Sequence, residues 1–168
     1  MKISMHAMSV QVFTPALQSL GKILDKGAQH AAARKFDPGV LAQARLAPDM
    51  FPLVRQVQLA CDFAKNSTAR LAGQEPPRVA DDEQTFEQLQ ARIARTLDYL
   101  AGVSASALEG AEDRDIKIPI RDQTLEMKGL PFLQHWALAN FYFHLVAAYS
   151  ILRHNGVKLG KRDYLGNT

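Results

Sequence analysis

The chain has 168 residues, 47% of them hydrophobic and 22% charged, with 20 basic against 17 acidic side chains. That length supports one domain with a substantial core, expected over 1–168, and is too short for two. Mixed charge excludes a strongly basic nucleic-acid binder, and a single cysteine, Cys61, excludes an internal disulfide and fits a reducing, cytoplasmic setting.

The opening MKISMHAMSVQVF carries one lysine and no sustained apolar run, so it does not read as a secretory signal. Phe13, Leu17, Leu20, Leu24, Ala28 and Ala31 step at three and four residues, which predicts a first helix over roughly 9–34. Pro15 lies near enough to its start to be tolerated. Asp37 and Pro38 predict an N-cap and first helical residue opening a short helical turn. Asp49 is the expected cap of a second helix running to about 72, striped by Val54, Val57, Cys61, Ala64 and Leu71. Within that stripe Cys61 reads as a small core hydrophobe. Gly73 and QEPPRVADDEQ mark a linker. Phe86, Leu89, Ile93, Leu97 and Leu100 share one face of a third helix that ends near Gly102.

The period then changes. Ile116, Ile118 and Ile120 alternate, followed by Leu125 and Met127, which predicts a β-hairpin turning at Arg121–Asp122–Gln123. A fourth helix is expected over about 130–155, stopping at Gly156 after Arg153 and His154. Its apolar stretch is about long enough to span a bilayer, but Gln134, His135, Asn140 and His144 interrupt it. It therefore reads as a buried helix, with no membrane partner. The tail VKLGKRDYLGNT is expected to dock at its start and fray at its end. Arg153, His154, Lys158, Lys161 and Arg162 form the only basic cluster, read as a solvated tail. The fold class is all-α, a four-helix bundle with a small β-hairpin between helices 3 and 4.

Asn140 and His144 raise the functional question, because a buried polar group is costly without a partner. At about 100° per residue they point the same way, while His135 faces the opposite side. Two readings stand: a hydrogen bond between Asn140 and His144 within the core, or a ligand pocket. The second helix offers Arg55, Gln58 and Asp62 as further lining. A carboxylate there would orient the imidazole of His144 and raise its pKa. The candidate pocket is thus His144, Asn140, Gln58, Asp62 and Arg55. No phosphate loop, cysteine cluster, His-Glu-x-x-His or nucleophile elbow occurs. The fourth helix is apolar all round, so either the hairpin or a second copy of the chain must cover its outer side.

Taken in order, ARLAPDMFPLVRQVQLACDFAK, EGAEDRDIKIPI and NFYFHLVAAYSILRHNGVKLGKRDYLG resemble a bacterial and fungal family of unknown function in the DinB/YfiT-like metalloenzyme superfamily. The resemblance implies a four-helix bundle, commonly dimeric. It also implies a divalent metal held by one histidine of helix 2 and a His-x-x-x-His pair of helix 4, used by some relatives in thiol-dependent transfer or isomerisation. Here His144 matches the second histidine of the pair and is the first candidate ligand. Asn140 stands where the other belongs, and helix 2 has no histidine. Two functions follow as expectations: a homodimer with a small-molecule pocket and no metal, or a divalent-metal-dependent thiol transferase or isomerase.

Overall fold

The computed structural model describes residues 3–166. A short helix α1 (Met5–Met8) is capped by Ser4, whose Oγ accepts from the Ala7 N–H at 3.1 Å. Ser9 separates it from α2 (Val10–Arg34), which ends where Lys35 turns left-handed at φ 57°. Phe13, Leu17, Leu20, Leu24 and Ala31 are buried along α2, the face its periodicity predicts. The Asp37 carboxylate accepts from the Gly39 N–H at 2.8 Å and opens α3 (Gly39–Ala42).

The second long helix, α4 (Leu53–Leu71), does not start at Asp49. A residue preceding proline is held out of the helical region, so Phe51 cannot carry a helix into Pro52. Pro52 stays extended at ψ 167° and is itself the N-cap, which leaves Asp49 in the loop. Helix α5 (Phe86–Ala101) begins with a reciprocal capping box between Thr85 and Gln88. Two 3₁₀ turns lead into β1 (Asp115–Ile120), paired antiparallel with β2 (Gln123–Lys128). Ile120 pairs with Gln123, so the turn is Arg121–Asp122 alone, with Arg121 at φ 51°.

Gly129 then opens α6 (Gly129–Pro131). A Cβ there would sit 1.7 Å from the Ala111 carbonyl oxygen, so only glycine fits this junction. The expected regular fourth helix is instead α6, a π-helical stretch (Phe132–Ala137) and α7 (Leu138–His154). A wider turn inserts one residue without changing composition, so a pattern read at 3.6 residues per turn carries no sign of it.

The molecule is mostly helical with one small hairpin. Helix α4 packs against α7 and α5, and α2 packs against α5. The tail docks at its start, as expected, and continues into a further helix. Val157 and Leu159 are buried, and α8 (Lys161–Leu165) docks on α2, where Asp163 pairs with Lys26 and accepts from the Gly160 N–H. Fraying of the last two residues lies outside the described part. The hairpin buries Ile116 and Ile118 but leaves the outer strip of α7 bare: Phe143 is 60% exposed and Val146 45%. Among the described residues no helix is long and apolar enough to cross a membrane.

Candidate functional site

Helix α7 sets His144, 8% exposed, against α4. Its Nδ1 lies 2.8 Å from Oε1 of Gln56. The Gln56 Nε2 in turn donates to the Phe51 carbonyl at 3.1 Å. A carbonyl only accepts, which fixes the amide and turns Oε1 toward the imidazole. Nδ1 therefore carries the ring proton, and Nε2 keeps a lone pair to which no described residue donates. The Phe63 ring stacks on the imidazole at 5.6 Å and 15°, and Phe143 meets it edge-on at 5.2 Å. Burial, and secondly the Arg55 charge, push the pKa of His144 down from 6.5 to about 4. At neutral pH the site holds an uncharged base.

Two expectations are corrected here. Asn140 does not bond His144; its Nδ2 donates to the Trp136 carbonyl at 2.8 Å, one turn back on its own chain. An amide finds its own i−4 carbonyl within reach without any tertiary partner, and it takes that bond. The group beside His144 is also an amide, not a carboxylate, so the pKa falls instead of rising. Sequence reasoning passed over Gln56. Its only signal was a polar residue two positions after Val54 and one before Val57, on the buried side of α4.

Arg55, Gln58 and Asp62 face another way and belong to an ion network with α5 and the linker. At its centre is Arg92, 2% exposed, which donates to Asp62 at 2.9 Å, Asp81 at 3.0 Å, Glu83 at 3.0 Å and the Ala80 carbonyl at 2.8 Å. Gln58 Nε2 donates to Glu83 at 3.0 Å, and Arg55 bridges Gln58 and Asp81. Burial lowers the pKa of Arg92, but Asp62 and Glu83 outweigh it and hold the guanidinium above its ordinary value. Burial likewise works against the Asp81 carboxylate, yet Arg55 and Arg92 keep its pKa depressed. Only Arg55 of this group reaches His144, and only through its field. The five predicted pocket residues thus divide among a histidine seam, a self-bonded amide and an ion network. Cys61 is buried beside the network, with its thiol pushed up to about 12 by desolvation, so it is core and no nucleophile.

A cavity of about 270 Å³ opens between α4, the hairpin and the π-helical stretch. Phe63 lines it on the α4 side, with Asp62, Asn66 and Arg70; Ile118, Phe132 and Trp136 close the other walls. The Asn66 Oδ1 is buried without a hydrogen-bond partner among the described residues. A larger cleft of about 560 Å³ runs beside Gly73–Pro76 and the hairpin, lined by charged Arg114, Asp115 and Lys117.

The donor set does not fit the metal that the resemblance implies. Among the described residues no three His, Cys, Asp or Glu side chains converge where they could hold an ion. A catalytic zinc usually takes three protein ligands. Around His144 stand aromatic rings and one amide already bonded on both sides.

Residues 5–165 match the profile of a domain of unknown function, DUF1993. The chain is also similar to a crystal structure described as a DinB family member protein from Shewanella denitrificans. The two share 44% identity and a TM-score of 0.90, over 95% of this chain and 90% of that one. No curated protein matches.

Proposed function

The chain belongs to the DUF1993 family and has the fold of a DinB family member, and from that premise we propose that it is a homodimeric small-molecule-binding protein without a metal centre. In this reading the four long helical segments form a DinB-like four-helix bundle, and His144 offers an uncharged Nε2 where metal-binding relatives place an ion. The observation that carries it is the Phe51–Gln56–His144 chain of hydrogen bonds. It fixes the imidazole tautomer and leaves one acceptor beside two phenyl rings, suited to a ligand N–H or O–H. The exposed Tyr142, Phe143 and Val146 strip of α7 supports the dimer, since contiguous bare apolar surface marks interaction sites.

The competing reading is a divalent-metal-dependent thiol transferase or isomerase in which His144 Nε2 is one ligand and others come from outside the described donors. Elemental analysis of protein purified without a histidine tag separates the two. The expected result is no stoichiometric transition metal; near-stoichiometric zinc, nickel or iron, lost in His144→Ala, overturns the proposal. For the dimer, light scattering should give twice 18.6 kDa and the monomer mass for Phe143→Glu. A wild-type monomer at every concentration rejects it.

A further inference from the structure

The cavity beneath the hairpin is aromatic in its walls and cationic at one end. Asp62, Phe63, Asn66 and Arg70 line it from α4, at the three- and four-residue steps that share one helix face. Phe132 and Trp136 join Phe63 from the π-helical stretch, and such widened turns recur at functional sites. Arg70 ends that face. Its Nη1 donates back to the Asn66 carbonyl at 3.4 Å, which holds the guanidinium alongside the last turn of α4. Arg70 and Pro119 also line the larger cleft beside Gly73–Pro76, so the two spaces meet at this arginine.

The neighbouring charges are engaged, and Arg70 is not. Asp62 pairs with Arg92 at 2.9 Å and with Lys65 at 3.5 Å, and it lies about two helical turns, roughly 12 Å, from Arg70. In the cleft, Lys117 pairs with Glu126 at 3.1 Å and Asp115 with Lys128 at 2.6 Å. Arg114 donates to the Leu71 carbonyl and lies on Gly73, where a Cβ would stand 3.2 Å from its Nη1. Neither Arg70 nor Arg114 forms an ion pair among the described residues. Burial pushes the pKa of Arg70 down, and Glu75 works against that only through its field.

From these features we infer that the cavity binds an aromatic carboxylate of one or two rings, with its rings among Phe63, Phe132 and Trp136 and its carboxylate on Arg70. A guanidinium meets a carboxylate through two parallel N–H···O bonds, and the Asn66 carbonyl takes up one of its five donors. Size agrees. An apolar cavity of about 150 Å³ accepts one benzene ring, so one of about 270 Å³ takes up to a fused bicycle. A small inorganic anion would leave the three rings uncovered, and a neutral ring would leave the half-buried cation without a counter-ion. The inference rests on the small-molecule reading above and names the chemical class of the ligand, but it makes no demand on His144.

The probes are benzoate and benzamide, which share a shape and differ in charge, with acetate as the charge without the ring. The chain has one tryptophan, so the Trp136 indole N–H gives a single cross-peak in a ¹⁵N-correlated NMR spectrum of the full chain. Benzoate should move that peak and bind about tenfold tighter than benzamide, the ratio set by a charge-assisted contact. Acetate at the same concentration should leave the peak in place. Arg70→Gln should bring benzoate and benzamide within about twofold by weakening benzoate alone. Arg70→Lys keeps the charge without the fork and should cut the preference by about threefold. The inference is overturned if benzoate does not move the peak at millimolar concentration, if benzamide binds as tightly, or if acetate acts like benzoate. A preference that survives in Arg70→Gln, or in Arg70→Lys should the first variant not fold, overturns it equally. His144 imidazole resonances followed in the same titration test the earlier reading separately. If they stay still while benzoate binds with its preference, the carboxylate site stands and the role of His144 falls. If they move while the two probes bind alike, the small-molecule reading stands and the carboxylate site falls.

Discussion

Helix α4 carries two polar systems on different faces, built in different ways. Toward α5 and the linker, Arg92 joins Asp62, Asp81 and Glu83, with Gln58 and Arg55 completing the set. Toward α7 a single amide meets a single imidazole between two phenyl rings. Buried charge is tolerated only when each ion is paired and hydrogen-bonded, so the first system has no valence to spare and pins a long connection to the helices. The second is uncharged, and it can keep a lone pair open at modest cost. In this protein the densely charged cluster is structural and the sparse one is chemically available.

The largest effect should come from breaking the charged side. Arg92→Met leaves Glu83 buried without its main partner and should lower stability by about 3–5 kcal/mol in chemical denaturation. Pairing it with Glu83→Gln should recover part of that loss. A cost below about 1 kcal/mol for Arg92→Met alone would erase the contrast.

Next is the pH response of the uncharged side. The folded pKa of His144 lies below its unfolded value, so the neutral ring contributes stability that is fully present above pH 6.5 and is lost as pH falls through about 4. By linkage the stability gap between wild type and His144→Ala should shrink by about 3 kcal/mol between pH 7 and pH 4. Urea midpoints measured across that window test it. A constant gap would mean that the imidazole is not held neutral by burial.

A double-mutant cycle between Gln56→Ala and His144→Ala sharpens the comparison further. The coupling energy should be about 1 kcal/mol, the net value of one neutral buried hydrogen bond. The same cycle between Asn140→Ala and His144→Ala should give almost none, because Asn140 bonds its own helix. Smallest of all, His135→Ala, at an exposed position, should change the denaturation midpoint by no more than about 0.5 kcal/mol. An effect as large as that of His144→Ala would put the wrong histidine in the seam.

Much of this architecture was legible in the chain alone. The buried faces of α2 and α5, the alternation that makes β1 and β2, and the core position of Cys61 all follow from periodicity, which is a local property. The Thr85 and Gln88 capping box spans only four consecutive residues, yet it was not among the features expected from the sequence. Where expectation failed locally, a backbone rule outweighed a side-chain one: Asp49 is a good cap, but Pro52 dictates where α4 can begin.

What residues 55, 58, 62, 140 and 144 would do could not be read in the same way. Spacing places Gln58 and Asp62 on one face of a helix, yet it says nothing about which neighbour meets that face. Their partners, Glu83 and Arg92, lie 25 and 30 residues onward, and Gln56 and His144 are 88 apart. Those pairings depend on how α4 is rotated and shifted against α5 and α7, which the packing of the whole core sets and no single segment encodes. The chain by itself determined where helices and strands form and which faces are apolar. Only the tertiary structure decided which polar groups satisfy one another, and so left Nε2 of His144 and Oδ1 of Asn66 as the two without a partner among those discussed.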